Sequence, residues 1–140
     1  MADTGKPLVV HVLERALQAR RIDRVLVAAP DPEIIKAVQD HGGEAILTRE
    51  NHPNGTSRLA EVAEMLDPEY NILVNVQGDE PEIDPATIDL VVETLQGDPE
   101  SPVATIASPF AHEEDIQDPN LVKVVRDQCS FGRRQLCQIH

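Results

Sequence analysis

Two short runs hold most of the side chains able to do chemistry: Gln77-Gly78-Asp79-Glu80-Pro81 and Asn54-Gly55-Thr56-Ser57-Arg58. In the first, the apolar run Ile72-Leu73-Val74, continued by Val76, ends on two adjacent carboxylates. Asp79 is suited to Mg²⁺, which takes one or two carboxylates and completes its shell with phosphate oxygens and water. Gln77 offers both donors and acceptors, enough to read the edge of a base. Gly78 lets the backbone turn without a Cβ clash, and Pro81 stops the strand from continuing. The same residues also make an ordinary turn after a strand. From residue types alone, both readings stand.

The second run opens a helix, whose first N–H groups have no intrahelical partner and can hold an anion or a ligand acceptor. Arg58 falls in the first turn, where a cation opposes the helix dipole unless something negative lies nearby. A bound nucleotide would supply that charge. The alternative is a capped surface helix with a solvated arginine. His11, His41, His52, His112 and His140 show no ligand spacing with one another or with Cys129 and Cys137, and Lys123 reads as a strand-edge lysine. None of these is assigned a role.

The elements that must position these residues alternate. Gly5–Arg20 reads as a helix, with Leu8, Val12, Leu13 and Ala16 at helical spacing and Pro7 in its first turn. Asp23–Pro30 is a short strand. Asp31–Gly43 is a helix with Asp31 as N-cap, Pro32 at its first position and Ile34, Ile35 and Val38 facing inward. Glu44–Thr48 is a strand, and Gly55–Leu66 a helix with Leu59, Val62, Ala63 and Leu66 inward. Asn71–Gln77 is expected as the third strand, Asp84–Gly97 as a helix, Ser101–Pro109 as the fourth strand and Asn120–Asp127 as the fifth. This alternation is the pattern of βαβ units around a mostly parallel sheet, where ligands sit beyond the carboxyl ends of the strands. One departure is plain: the first element is a helix, with no strand ahead of it.

Composition narrows the partners. The 140 residues suit one domain, and aromatics at 2% leave the core to Val, Ile, Leu and Ala, as in helix-covered parallel sheets. A net charge of −13 with 12 basic residues excludes a surface that tracks a nucleic-acid backbone. No apolar run approaches the length of a membrane span, and the first residues lack the pattern of a secretory signal. The cysteine spacing matches neither a zinc nor a redox motif, so a cytoplasmic protein is expected.

The stretches "GKPLVVHVLERA", "GGEAILTRENHPNGTSRLAEV", "ILVNVQGDEPEIDPATI", "VATIASPF" and "DPNLVKVV" resemble, in order and spacing, the 3-deoxy-manno-octulosonate (Kdo) cytidylyltransferase family, over roughly Gly5 to Asp127. The resemblance implies an α/β, Rossmann-like nucleotidyltransferase fold with a mostly parallel sheet, here incomplete. It implies transfer of CMP from CTP to Kdo with release of pyrophosphate and help from Mg²⁺, in lipopolysaccharide biosynthesis. By position, Asp79 corresponds to a metal-binding aspartate; Gln77 and Arg58, with Gly55 and Thr56, correspond to the cytidine pocket. No catalytic residue beyond the metal ligand is implied. Asn54 and Ser57 stand where the family is expected to have a serine and an acidic residue.

On the same basis, residues 1–127 are expected to form a partial nucleotidyltransferase domain without the family's first strand and triphosphate-gripping loop. The Kdo-binding, dimer-forming part with a second metal-binding aspartate is expected to be missing. Residues 128–140, "QCSFGRRQLCQIH", depart from the family pattern and read as a frame-shifted tail. Two alternatives remain: an inactive fragment that binds nucleotide weakly or not at all, and a transferase for another sugar acid. A receiver-type signalling domain is disfavoured, because its acidic pair, phosphoacceptor and lysine do not assemble here.

Overall fold

The computed structural model describes residues 5–109, 123–125 and 136–138. Residues 110–122, Cys129 and most of the tail 128–140 lie outside them.

The four expected helices form. Helix α1, Leu8–Ala16, buries Val10, Val12, Leu13 and Ala16, while Leu8 is exposed, so Val10 takes the inward place expected of Leu8. Pro7 caps this helix instead of lying inside its first turn. Strand β1, Leu26–Ala29, follows and leads into α2, Pro32–Asp40. The Asp31 side chain accepts from the Glu33 N–H at 2.8 Å, and Pro32 occupies a position where no N–H is needed. Val38 is the buried centre of α2.

The helix stops at Gly42, whose φ of 77° is strained for any residue with a Cβ. Gly43 is crowded for another reason: a Cβ there would overlap Leu13 Cδ2 and stand 2.8 Å from Val38 Cγ1, so those side chains would have to shift. Strand β2, Glu44–Leu47, then pairs in parallel with β1, from Leu26 opposite Glu44 to Ala29 opposite Leu47.

Helix α3, Gly55–Met65, packs against β1 and buries Val62, with Leu59 and Leu66 half-buried; Ala63, expected inward, is exposed. Helix α4, Pro85–Gly97, repeats the Asp-Pro start, Asp84 accepting from the Ala86 N–H at 3.0 Å. It packs against α1. Ala16, Ala19 and Ile88 form a buried cluster there, against which Ile22, Val25, Val74, Val76 and Ile83 pack.

The sheet departs from expectation. Residues 71–77 belong to no strand among the described residues. They pack by Val74 and Val76, yet among the described residues no neighbouring strand completes a ladder, and a strand exists only through its pairing. Ser101–Pro109, expected as a whole strand, contributes only β3, Ser108–Pro109. Strand β4, Lys123–Val125, lies within the expected Asn120–Asp127. Strand β5, Leu136–Gln138, was not expected; it sits between β3 and β4 and pairs antiparallel with both. The fold is therefore α/β with a two-stranded parallel sheet, and the larger parallel sheet is incomplete.

Candidate functional site

Helix α3 and the chain leaving residues 71–77 meet at one end of a cavity of about 640 Å³. Gly55 is the first residue of α3, and a Cβ placed on it would lie 3.5 Å from Asn75 Nδ2 and 3.8 Å from Gln77 Nε2. The absent side chain thus leaves two amide groups facing the mouth of the helix. Gly55, Arg58, Asn75, Gln77 and Gly78 all border the cavity; Thr56 and Asp79 do not line it. Of the five expected site residues, the structure brings Gly55, Arg58 and Gln77 to one cavity and leaves Thr56 and Asp79 exposed beside it.

Local structure explains each placement. Asn54 caps α3 by accepting from the Ser57 N–H at 2.9 Å, while Ser57 Oγ donates back to the Asn54 carbonyl at 2.8 Å. This reciprocal cap holds Gly55 and Thr56 in the first turn. Gln77 begins a turn in which the Glu80 N–H donates to its carbonyl at 3.3 Å; the next turn has Ile83 N–H donating to the Glu80 carbonyl at 3.1 Å. Arg15 Nε on α1 donates to the Ile83 carbonyl at 2.9 Å, tying this acidic loop to the helix beneath it. Asp79 therefore projects from a turn anchored at both ends.

Arg58 is held rather than loose. Its guanidinium donates to the hydroxyl of buried Thr48 and, at 3.0 Å, to the Arg49 carbonyl. These oxygens supply part of the negative environment that a cation in a first turn requires.

Beneath Arg58 lies a cluster that composition and spacing did not single out. Glu61 is only 8% exposed. Its carboxylate accepts from the Arg49 N–H at 3.2 and 3.3 Å, from Arg49 Nε at 3.2 Å and from His52 Nε2. The other ring nitrogen of His52 bonds Ser57 Oγ at 3.2 Å. The hydrogen bond from His52 is the main cause that holds the Glu61 carboxyl below the ordinary carboxylate value; burial opposes it, and the Arg49 N–H and charge assist it. Ser57 and Glu61 stand four apart on one helical face, and Asn75 and Gln77 two apart along an extended chain, but those spacings alone do not reveal the bond from His52.

Among the described residues, no group of three or more His, Cys, Asp or Glu side chains is placed to share a metal ion. A lone exposed carboxylate, Asp79, with Glu80 next to it, fits a cation that draws its remaining ligands from phosphate and water, as Mg²⁺ does. It does not fit an ion caged by protein. No helix among the described residues is long and apolar enough to cross a membrane.

Comparison with known proteins shows the family. A family model described as cytidylyltransferase matches residues 4–136. The 3-deoxy-manno-octulosonate cytidylyltransferase of Syntrophobacter fumaroxidans is 47% identical over 125 residues, covering 89% of this chain and 50% of that protein. The enzyme of the same name from Yersinia pseudotuberculosis is 50% identical over 129 residues, covering 91% and 51%. The structure of CMP:2-keto-3-deoxy-manno-octonic acid synthetase complexed with CTP superposes with a TM-score of 0.85 at 37% identity, covering 97% of this chain and 62% of that one. This chain spans about half the length of the curated relatives it matches. With nearly all its residues inside one family model and its fold shared with a synthetase of that kind, the chain belongs to the cytidylyltransferase family.

Proposed function

We propose that this chain carries the nucleotide-binding half of a cytidylyltransferase that transfers CMP from CTP to 3-deoxy-manno-octulosonate and releases pyrophosphate. The observation that carries the reading is the meeting of Gly55 with the Asn75 and Gln77 amides at a cavity mouth, beside the turn of Asp79. A planar base is recognised by fixed amide donors and acceptors, and a helix start without a Cβ lets it approach the backbone. Gln77 and Asn75 would read the cytosine edge, and Arg58, held by Thr48 and Arg49, would bear on the nucleotide from the other side.

Asp79 would hold Mg²⁺, which when bound offsets charge on the triphosphate. The attacking hydroxyl of the sugar acid forms the new bond to the α-phosphorus as the bond to pyrophosphate breaks, and positioning supplies most of the catalysis. Lipopolysaccharide synthesis in the cytoplasm is part of the same reading, while the family's dimeric assembly belongs to the part expected to be missing here.

The test is a thermal melt of the 140-residue chain with Mg²⁺·CTP, with Mg²⁺·ATP and without nucleotide. Tm is expected to rise with CTP alone, because a ligand that binds only the folded state stabilises it. Asp79→Asn is expected to remove that rise while leaving the unliganded Tm in place. A Tm that moves equally with ATP, or with neither, overturns the cytidine reading. A second reading, a binding module without turnover, is favoured by the edge of β1 beside the site, which has no strand partner among the described residues. It is distinguished by a CTP-dependent rise in Tm with no pyrophosphate released in the presence of the sugar acid.

A further inference from the structure

Arg58 and Glu61 stand three apart on α3, the spacing at which an arginine and a carboxylate ordinarily pair along a helix. They do not pair here. Glu61 takes Arg49 and His52 as its partners, while the Arg58 guanidinium goes to two uncharged oxygens, the Thr48 hydroxyl and the Arg49 carbonyl. Among the described residues Arg58 is in no ion pair. The cation is aimed without being neutralised, and so keeps its attraction for an anion.

Arg49 links the two side chains. Its N–H donates to Glu61 and its carbonyl accepts from Arg58 Nη1 at 3.0 Å, so a single residue of backbone separates the carboxylate from the seat of the guanidinium. The Arg49 side chain is 74% exposed, and its own ion pair with Glu61 is screened by water. The backbone bond matters more, because it fixes the residue next to buried Thr48, whose N–H is itself anchored on the Ala29 carbonyl at 3.0 Å. On its other side Glu61 accepts from His52, whose second ring nitrogen bonds Ser57 Oγ in the first turn of α3. The His52 side chain is as buried as that of Glu61, so bulk water does not compete for this bond. Residues 49 to 52 are thereby tied to α3 at Ser57 and at Glu61.

We infer that Glu61 is a positioning residue for the nucleotide site: it fixes the Arg49 backbone and, through His52, the loop ahead of α3, and so sets the direction of the Arg58 guanidinium. It acts through its length and its hydrogen bonds. As a bare charge it would repel a nucleotide polyphosphate; as a strut it holds a cation toward one. The inference rests on the cytidine reading for what Arg58 meets, and on the hydrogen bonds alone for how Arg58 is held.

Two substitutions separate length from charge. Glu61→Gln keeps the length: its carbonyl accepts from the Arg49 N–H, and its amide donates to His52 Nε2 in the tautomer whose Nδ1–H still reaches Ser57. Glu61→Asp keeps the charge and draws the carboxylate back by one methylene. Each is made in the parent chain and beside Arg58→Ala. CTP affinity is measured by titration calorimetry at constant Mg²⁺, and the Arg58 Nε–H resonance, identified by its loss in Arg58→Ala, is followed by NMR relaxation without nucleotide. Glu61→Asp is expected to weaken CTP binding by about three- to tenfold and to make the Arg58 side chain more mobile. The conservative Glu61→Gln is expected to stay within about twofold of the parent, with Arg58 as ordered as before. Beside Arg58→Ala, Glu61→Asp is expected to cost no further affinity, because the two residues act as one unit.

An affinity changed by Gln and unchanged by Asp overturns the inference in favour of a charge effect. An Asp loss that persists in full beside Arg58→Ala, or an Arg58 resonance that Asp does not move, overturns it by making Glu61 a part of the scaffold only. If Glu61→Asp does not fold, Glu61→Gln decides alone: parent-like affinity and Arg58 order support the strut, and a changed affinity overturns it. A parent chain without affinity for CTP removes the cytidine reading, and the NMR comparison then decides separately whether Glu61 holds Arg58.

Discussion

A carboxylate 8% exposed beneath a candidate nucleotide site needs a reason to stay charged, and Glu61 has three donors that provide one. Its folded pKa is lowered, so above the ordinary carboxylate value of 4.5 the unfolded and folded states are equally deprotonated and its stabilisation is complete. As pH falls below that value, the unfolded chain takes up the proton first, and the stabilisation is lost through the lowered folded pKa. Glu61→Gln is therefore expected to flatten the fall in Tm between roughly pH 5 and 3 relative to the parent chain. An unchanged slope would show that the His52 and Arg49 contacts have no share in it. Arg58 makes the complementary case. Its guanidinium already spends donors on Thr48 and the Arg49 carbonyl, so its direction is set before any ligand arrives. Arg58→Ala is expected to weaken CTP binding by about tenfold, the scale of one charge-assisted hydrogen bond. Titration calorimetry at constant Mg²⁺ checks this, and unaltered affinity removes Arg58 from the pocket.

The helices were legible because their signals are local. Asp31-Pro32 and Asp84-Pro85 place a cap and a proline side by side, and apolar spacing marks the inner face of α2. The strands were legible only where a neighbour exists. Residues 71–77 have the alternation of a strand, polar at Asn75 and Gln77 and apolar at Val74 and Val76, but pairing needs a partner that local sequence does not provide, and none pairs with them among the described residues. Of the site, Gly55, Arg58 and Gln77 could be read from their place in motifs. Glu61 and His52 could not, because their connection bridges a loop and a helix and leaves no period in the sequence. The junction between α2 and β2 shows the same limit. Gly42 is legible as a helix stop, whereas Gly43 is required by Leu13 and Val38, one of them from a different helix. Gly43→Ala is expected to destabilise the chain by about 1–3 kcal/mol, the range for overpacking a filled core. Urea unfolding measures it, and a cost near zero would mean that the Leu13 and Val38 side chains turn aside freely.

At the scale of the molecule, one space unites the fold and the site. The cavity lined by β1 and residues 69–78 is also bordered by Gly55 and Gln77, so the core and the candidate site share one wall. Tyr70 stands on its border with the Arg24 guanidinium 6.0 Å from the ring centroid, and Arg24 in turn pairs with Glu44 at the start of β2 at 2.7 Å. Tyr70 is the chain's one tyrosine, and the chain has no tryptophan. Ultraviolet emission above 300 nm therefore comes from a single ring at a known address. The protein carries its own lamp at the rim of the cavity, and binding there can be watched by unlabelled fluorescence as the guanidinium and solvent around that ring are rearranged.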